Sequence, residues 1–224
     1  MGTMVKLQRP DGKTTDAWWV EVAGAKAAVV VIQEWWGLNA QIRRIADYFA
    51  AAGFSALAPD LYHGRLAANV DEAKHLMDGL DFADAVFQDM TAALTFLGGQ
   101  HRRVGMTGFC MGGALTVAAA VHLQPQLASA SCFYGLPPAA FADPALIRIP
   151  FQGHFATKDA WITPEKVDQL EAVMREAGQV PELYRYPADH AFVNQLRPEV
   201  YDASCAEQAL ERTVGFFQRT LSEE

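Results

Sequence analysis

The chain has 224 residues, 51% of them hydrophobic, with a formal net charge of -8 and three cysteines. That length fits one domain, 1–224, around a single large core, and the acidic balance with scattered Lys and Arg argues against a nucleic-acid or anionic-membrane surface. No apolar run approaches the ~20 residues of a membrane span, Met1 to Pro10 has no apolar signal-peptide core, and Cys110, Cys132 and Cys205 show no metal spacing, so reduced thiols in a cytoplasm are expected.

Val5 to Leu7 reads as a short edge strand, followed by a turn at Pro10-Asp11-Gly12. Asp16 to Val22 reads as a second strand, with Gly24 closing the hairpin. Ala27 to Ile32 is a continuous run rich in β-branched residues, the signature of a strand buried on both faces. It ends in Gln33-Glu34-Trp35-Trp36-Gly37. Open α/β sheets bind ligands beyond the carboxyl ends of such strands. The two tryptophans could equally cap the core.

Asn39 is the expected N-cap of a helix marked by Ile42, Ile45, Ala46, Phe49 and Ala50, stopped by Gly53. Phe54 to Ala58 is the next strand, and a loop runs from Pro59 to Arg65. A long amphipathic helical region extends from Asp71 to about Leu97, broken near Gly79, with its charges read mostly as a solvated face. Strands are expected at Arg102 to Gly108, Ala128 to Tyr134, Ile147 to Gln152 and Glu182 to Tyr186. Helices are expected after Thr163-Pro164, running to Gly178, and over about Pro198 to Leu221. Strands alternating with helices imply a mostly parallel sheet of about seven or eight strands with helices on both faces.

Within that frame, Gly108-Phe109-Cys110-Met111-Gly112-Gly113 lies between an apolar strand and a small-residue helix, Ala114 to Ala120. Glycines two before and two after Cys110 fit a strained strand-to-helix turn that presents a nucleophile. The helix N-terminus favours a thiolate there, and later an oxyanion. Asp159 and His190 follow at later strand ends, so the chain order is nucleophile, acid, histidine. Cys110 would attack an acyl carbon; His190 would take the thiol proton and pass it to the leaving oxygen; Asp159 would orient the imidazole. Asp189 competes for that last role, but adjacent side chains rarely face each other well. His63, His75, His101, His122 and His154 are expected to be bystanders. The oxyanion hole is expected from the backbone N–H groups of Met111 and Trp35.

The chain resembles the dienelactone hydrolase (carboxymethylenebutenolidase) family of the α/β-hydrolase fold over nearly its whole length. The resemblance rests on Gln33-Glu34 with Gly37, Ala58-Pro59-Asp60-Leu61-Tyr62, the Cys110 turn, Phe133-Tyr134-Gly135, Gly153 with Asp159, and His190-Ala191-Phe192. It implies an α/β-hydrolase fold without a separate lid domain, a Cys110-His190-Asp159 triad, and Glu34 paired with the thiol. On that account the resting thiol stays protonated, and substrate binding moves Glu34 to take the proton. The resemblance also implies substrate-binding positions at Tyr134 and Arg65. One departure stands out: the family's second carboxylate-binding arginine is replaced by Asn194, which cannot carry the charge, and only Arg197 lies nearby. With Trp35 and Trp36 beside the site, the expected substrates are neutral, bulkier, more aromatic esters or lactones. Trp36, Arg65, Tyr134 and Asn194 are the candidate substrate contacts.

Two activities share this site in principle, ester hydrolysis and, as a lesser side activity, attack on a neutral phosphotriester. A non-catalytic scaffold holding an aromatic ligand between Trp35, Trp36 and Tyr134, or a thiol redox sensor, are the other readings. No metal or organic cofactor is implied, and a monomer or small homo-oligomer is expected.

Overall fold

A computed structural model describes residues 2–100 and 103–222. Met1, His101 and Arg102, each part of an expectation above, lie outside the described residues. Eight strands form one sheet in the order β1-β2-β4-β3-β5-β6-β7-β8. They are β1 (Thr3–Gln8), β2 (Thr14–Val20), β3 (Ala27–Ile32), β4 (Ser55–Pro59), β5 (Arg103–Phe109), β6 (Ser129–Phe133), β7 (Phe151–Ala156) and β8 (Glu182–Tyr186). β3 to β8 are mutually parallel, whereas β1 and β2 run antiparallel at one edge.

β3 is buried at every position. Ala28, Val30 and Ile32 feed one core, and Ala27, Val29 and Val31 feed the other. This is the two-faced burial that its β-branched run implies. The helices are α1 (Ala40–Ala51), α2 (Val70–Asp78), α3 (Phe82–Asp84), α4 (Thr91–Gly98), α5 (Met111–His122), α6 (Pro164–Glu176) and α7 (Ala203–Thr220). α1 and α7 pack on one face through Ile42, Phe49, Ala209 and Phe216, and α4, α5 and α6 on the other through Leu94, Leu115 and Leu170. Asn39 caps α1, its side chain accepting from the N–H groups of Gln41 and Ile42; such a cap is worth about 1 kcal/mol. Gly53, at φ 97°, ends that helix in a left-handed turn.

The structure corrects several expectations. β2 pairs with β1 through the Pro10-Asp11-Gly12 turn and with β4 on its other side. Gly24 therefore leads into β3 and closes no hairpin. The seventh strand begins at Phe151, four residues later than expected, so Gly153 to Ala156 are strand rather than loop. A 3-10 turn, Pro144–Leu146, occupies part of the approach, and Pro150 has no N–H to give a ladder. The last helix starts at Ala203, capped by Asp202, rather than near Pro198. Thr163 stands at the start of α6, but its hydroxyl makes no capping bond. The helical region after Gly79 contains a π-helical turn, Ala85–Met90. Asp89 on it is fully buried and pairs with Arg9 at 3.1 Å, so this carboxylate is no part of a solvated face.

The strand order reverses beside β3: the chain moves outward from β3 to β4, then returns to place β5 on the other side. The loops after β3 and β5 consequently diverge from one crevice at the carboxyl edge, where such sheets hold ligands.

Candidate active site

Cys110 follows β5 and precedes α5, with φ 55° and ψ -116°. A non-glycine residue at positive φ is strained, and here the surrounding packing enforces it. A Cβ on Gly108 would lie 2.1 Å from the carbonyl oxygen of Gly112, and one on Gly112 would lie 2.4 Å from that of Gln33. The glycines thus let the turn close on itself and on the β3 loop. Gly135 has the same task from the other side, where a Cβ would meet the Cys110 carbonyl oxygen at 2.0 Å. The Cys110 N–H donates to Phe133 O at 3.0 Å, tying the turn to β6.

The loops after β7 and β8 bring the next two residues together. Thr157 N–H donates to Tyr186 O at 2.8 Å and Lys158 N–H to Ala188 O at 3.1 Å. Asp159 Oδ2 then stands 2.6 Å from His190 Nδ1. Its other oxygen accepts from the N–H groups of Trp161 at 2.8 Å and Ile162 at 3.0 Å. Burial works against the Asp159 charge, but the bond from His190 and these N–H groups outweigh it and hold the carboxyl below its usual range. Asp189 is exposed, so the adjacent carboxylate is not the one that orients the ring. His190 Nε2 is buried with no hydrogen-bond partner among the described residues.

Cys110 is half-buried, with a cavity on either side. Burial pushes its thiol well above the usual cysteine range, and the nearby Glu34 carboxylate pushes the same way. The backbone N–H groups of Met111 and Trp35 oppose that shift. These are the two donors expected for an oxyanion. Glu34 is 3% exposed, on the loop after β3. Tyr134 Oη donates to its Oε1 at 3.2 Å, and Asn194 Nδ2 donates to its Oε2. Burial raises Glu34 above the usual carboxylate range, against the opposing pull of His190, Asn194, Tyr134 and Arg197.

Cys110, His190, Asp159, Glu34, Trp35, Met111 and Tyr134 therefore meet at one rim. Two candidates do not act as expected. Asn194 is 1% exposed, lines neither cavity at the cysteine, and gives its amide to Glu34, because a short neutral donor beside a buried carboxylate is best used there. Arg65 is exposed and outside both cavities, its Nε turned back on Tyr62 O at 3.4 Å. Trp36 does line the site, and Arg197 covers its ring at 5.2 Å.

Two cavities flank Cys110. The larger, about 420 Å³, is lined by Met77, Phe82, Leu136, Phe141 and Ile162 among others, with His190 as its single ionisable residue besides Cys110 and Tyr134 among the described residues. The smaller, about 110 Å³, is lined by Glu34, Trp35, Trp36, Arg197 and Val200 among others. Sequence reasoning missed the apolar wall, because Met77, Phe82 and Phe141 come from segments without any local motif. It also missed Trp161, whose nearness to Asp159 in the chain was the one available signal.

The sequence profile of the dienelactone hydrolase family matches residues 16–221. Protein usf of Aquifex pyrophilus is 35% identical over 235 residues, covering 99% of this chain and 100% of the relative. A provisionally named carboxymethylenebutenolidase of Aquifex aeolicus is 34% identical over 234 residues, covering 99% and 100%. Among solved structures, a provisionally named dienelactone hydrolase from Klebsiella pneumoniae superposes with a TM-score of 0.84 at 26% identity, covering 98% of this chain and 99% of that one. Among the described residues, no helix is long and apolar enough to cross a membrane.

Proposed function

We propose that this chain, which belongs to the dienelactone hydrolase family and is a hydrolase acting on ester bonds, cleaves esters and lactones with Cys110 as the nucleophile. The observation that carries the reading is the Asp159-held imidazole of His190, its Nε2 unengaged among the described residues, lining the same two cavities as Cys110 on its strained turn.

At rest burial and the neighbouring Glu34 carboxylate disfavour a thiolate. Catalysis starts when a bound ester places its carbonyl carbon against the Cys110 sulfur. His190 Nε2 takes the thiol proton as the C–S bond forms, and the N–H groups of Met111 and Trp35 receive the carbonyl oxygen. Collapse expels the alcohol, protonated by the same nitrogen, and leaves a thioester on Cys110. Water then attacks the thioester, giving its proton to His190, which returns it to the departing sulfur. Asp159 holds the ring in one tautomer throughout. Glu34 is the gate that keeps the idle thiol neutral and less open to oxidation.

The larger cavity offers apolar walls and no cation, and Arg197 is engaged with Glu199 and the Trp36 face. Neutral aryl esters are therefore the preferred class over the anionic dienelactone. The Cys110→Ala variant is expected to lose at least about 10⁴-fold in kcat on p-nitrophenyl acetate, and the wild-type enzyme to show a mass shift of one acyl group under rapid quench. Hydrolysis surviving in Cys110→Ala would remove the nucleophile assignment. A higher kcat/KM for cis-dienelactone than for neutral aryl esters would remove the substrate class.

A further inference from the structure

We infer that Trp161 is the specificity-determining residue of this enzyme, its indole forming the partition that sorts the two halves of an ester into unequal chambers. The inference rests on the reading of Cys110 as nucleophile. Among the described residues, three line both cavities: Cys110, His190 and Trp161. The first two are the reacting groups, which leaves the indole as the shared wall with no chemical task. Its ring lies 4.7 Å from the His190 ring and 5.8 Å from the Trp35 ring, edge-on to both. It is therefore wedged between the proton-transfer residue and the loop that carries an oxyanion donor.

The chambers differ in size and in chemistry. The side holding Met77, Phe82 and Phe141 has about 420 Å³ of apolar room, whereas the side holding Trp35, Trp36 and Arg197 has about 110 Å³. The smaller side has about a quarter of the room of the larger, so it takes the more compact half of a substrate. A substrate straddling Cys110 must be lopsided: a bulky apolar or aromatic group on one side of the scissile bond and a compact group on the other. The indole is 55% exposed, so the core does not depend on it. The bond from the Trp161 main-chain N–H to Asp159 survives any side-chain change. Truncation therefore alters the partition and leaves the orientation of His190 supported.

The test uses two ester series, each varying one half of the ester at nearly constant leaving-group acidity. One keeps p-nitrophenol and lengthens the acyl group from acetyl to octanoyl. The other keeps acetyl and enlarges the alcohol from phenol to 4-phenylphenol. The wild-type enzyme is expected to accept growth in one series and to lose about tenfold or more in kcat/KM in the other, the range by which a closed pocket rejects excess bulk. In Trp161→Ala the large-to-small ratio in the restricted series should rise at least threefold, and in Trp161→Phe by less than in Trp161→Ala. Trp161→Leu replaces Trp161→Ala, against the same threshold, if the latter does not fold. Equal tolerance of both series by the wild-type enzyme, or a ratio that moves less than threefold, overturns the partition. Activity remaining in Cys110→Ala on the same panel is a separate result: it would strike the nucleophile reading and not the Trp161 ratio.

Discussion

Two histidines, one buried within the sheet and one half-buried just beyond its edge, have opposite fates. His154, inside β7, has both ring nitrogens engaged: Nδ1 with Tyr186 Oη at 2.8 Å, Nε2 with Gln152 Oε1 at 2.8 Å and Thr213 Oγ1 at 3.0 Å. Its ring stacks on Phe133 and Tyr184. His190, beyond the end of β8, has one nitrogen fixed by Asp159 and the other without a partner among the described residues. A fully satisfied polar network stabilises and holds its members still, whereas a half-satisfied one keeps a group ready for a proton. The difference separates scaffold from chemistry more sharply than burial does.

The strongest way to break that contrast is at the carboxylate. Asp159→Asn should lower kcat on an activated ester by about 10⁴-fold through the wrong tautomer of His190, with the fold intact by circular dichroism. A loss below about tenfold would mean that Asp159 does not orient the ring. On the scaffold side, His154→Ala should cost about 3 kcal/mol in urea unfolding, since it removes one partner each from Gln152, Tyr186 and Thr213 and opens a cavity. Its kcat, once folded, should stay close to that of the wild-type enzyme; a large fall in kcat would erase the distinction between the two histidines.

Acid sharpens the same comparison. Burial, with Arg212 nearby, pushes His154 down to about 3, so the unfolded chain binds a proton there that the native state refuses. This contribution is complete above the ordinary histidine range and is lost as pH falls from about 6.5 toward 3, by up to about 1.4 kcal/mol per pH unit. The difference in unfolding free energy between wild type and a folded His154→Gln variant, followed over that window, should show this slope. A flat difference would contradict a buried neutral imidazole. The smallest effect is expected at Arg65: Arg65→Ala should change kcat/KM on neutral aryl esters by less than about twofold, as an exposed side chain outside both cavities.

Much of this arrangement is visible along the chain because its causes are local. β-branched runs marked the central strands, and Asn39, Gly53 and Pro164 marked helix ends. The spacing of Gly108, Cys110 and Gly112 marked a turn that must close without side chains, and the positions after β7 and β8 marked Asp159 and His190. Pairing is a different matter. Periodicity says that Asp16 to Val22 is a strand, but not that it lies against β4 instead of β3, so the role of Gly24 was misread. Adjacent side chains rarely face each other, and it is Asp159, not the neighbouring Asp189, that pairs with the His190 ring.

What the residues alone determined is the order of elements and the identity of the strained turn, since both follow from backbone sterics and apolar spacing within a few residues. What the tertiary structure alone decided is the company each side chain keeps. Asn194 serves Glu34, and Trp161 stands between His190 and Trp35. Met77, Phe82 and Phe141 meet over Cys110 from segments far apart in the chain. Those encounters depend on strand order and loop paths, and no local pattern of residues encodes them.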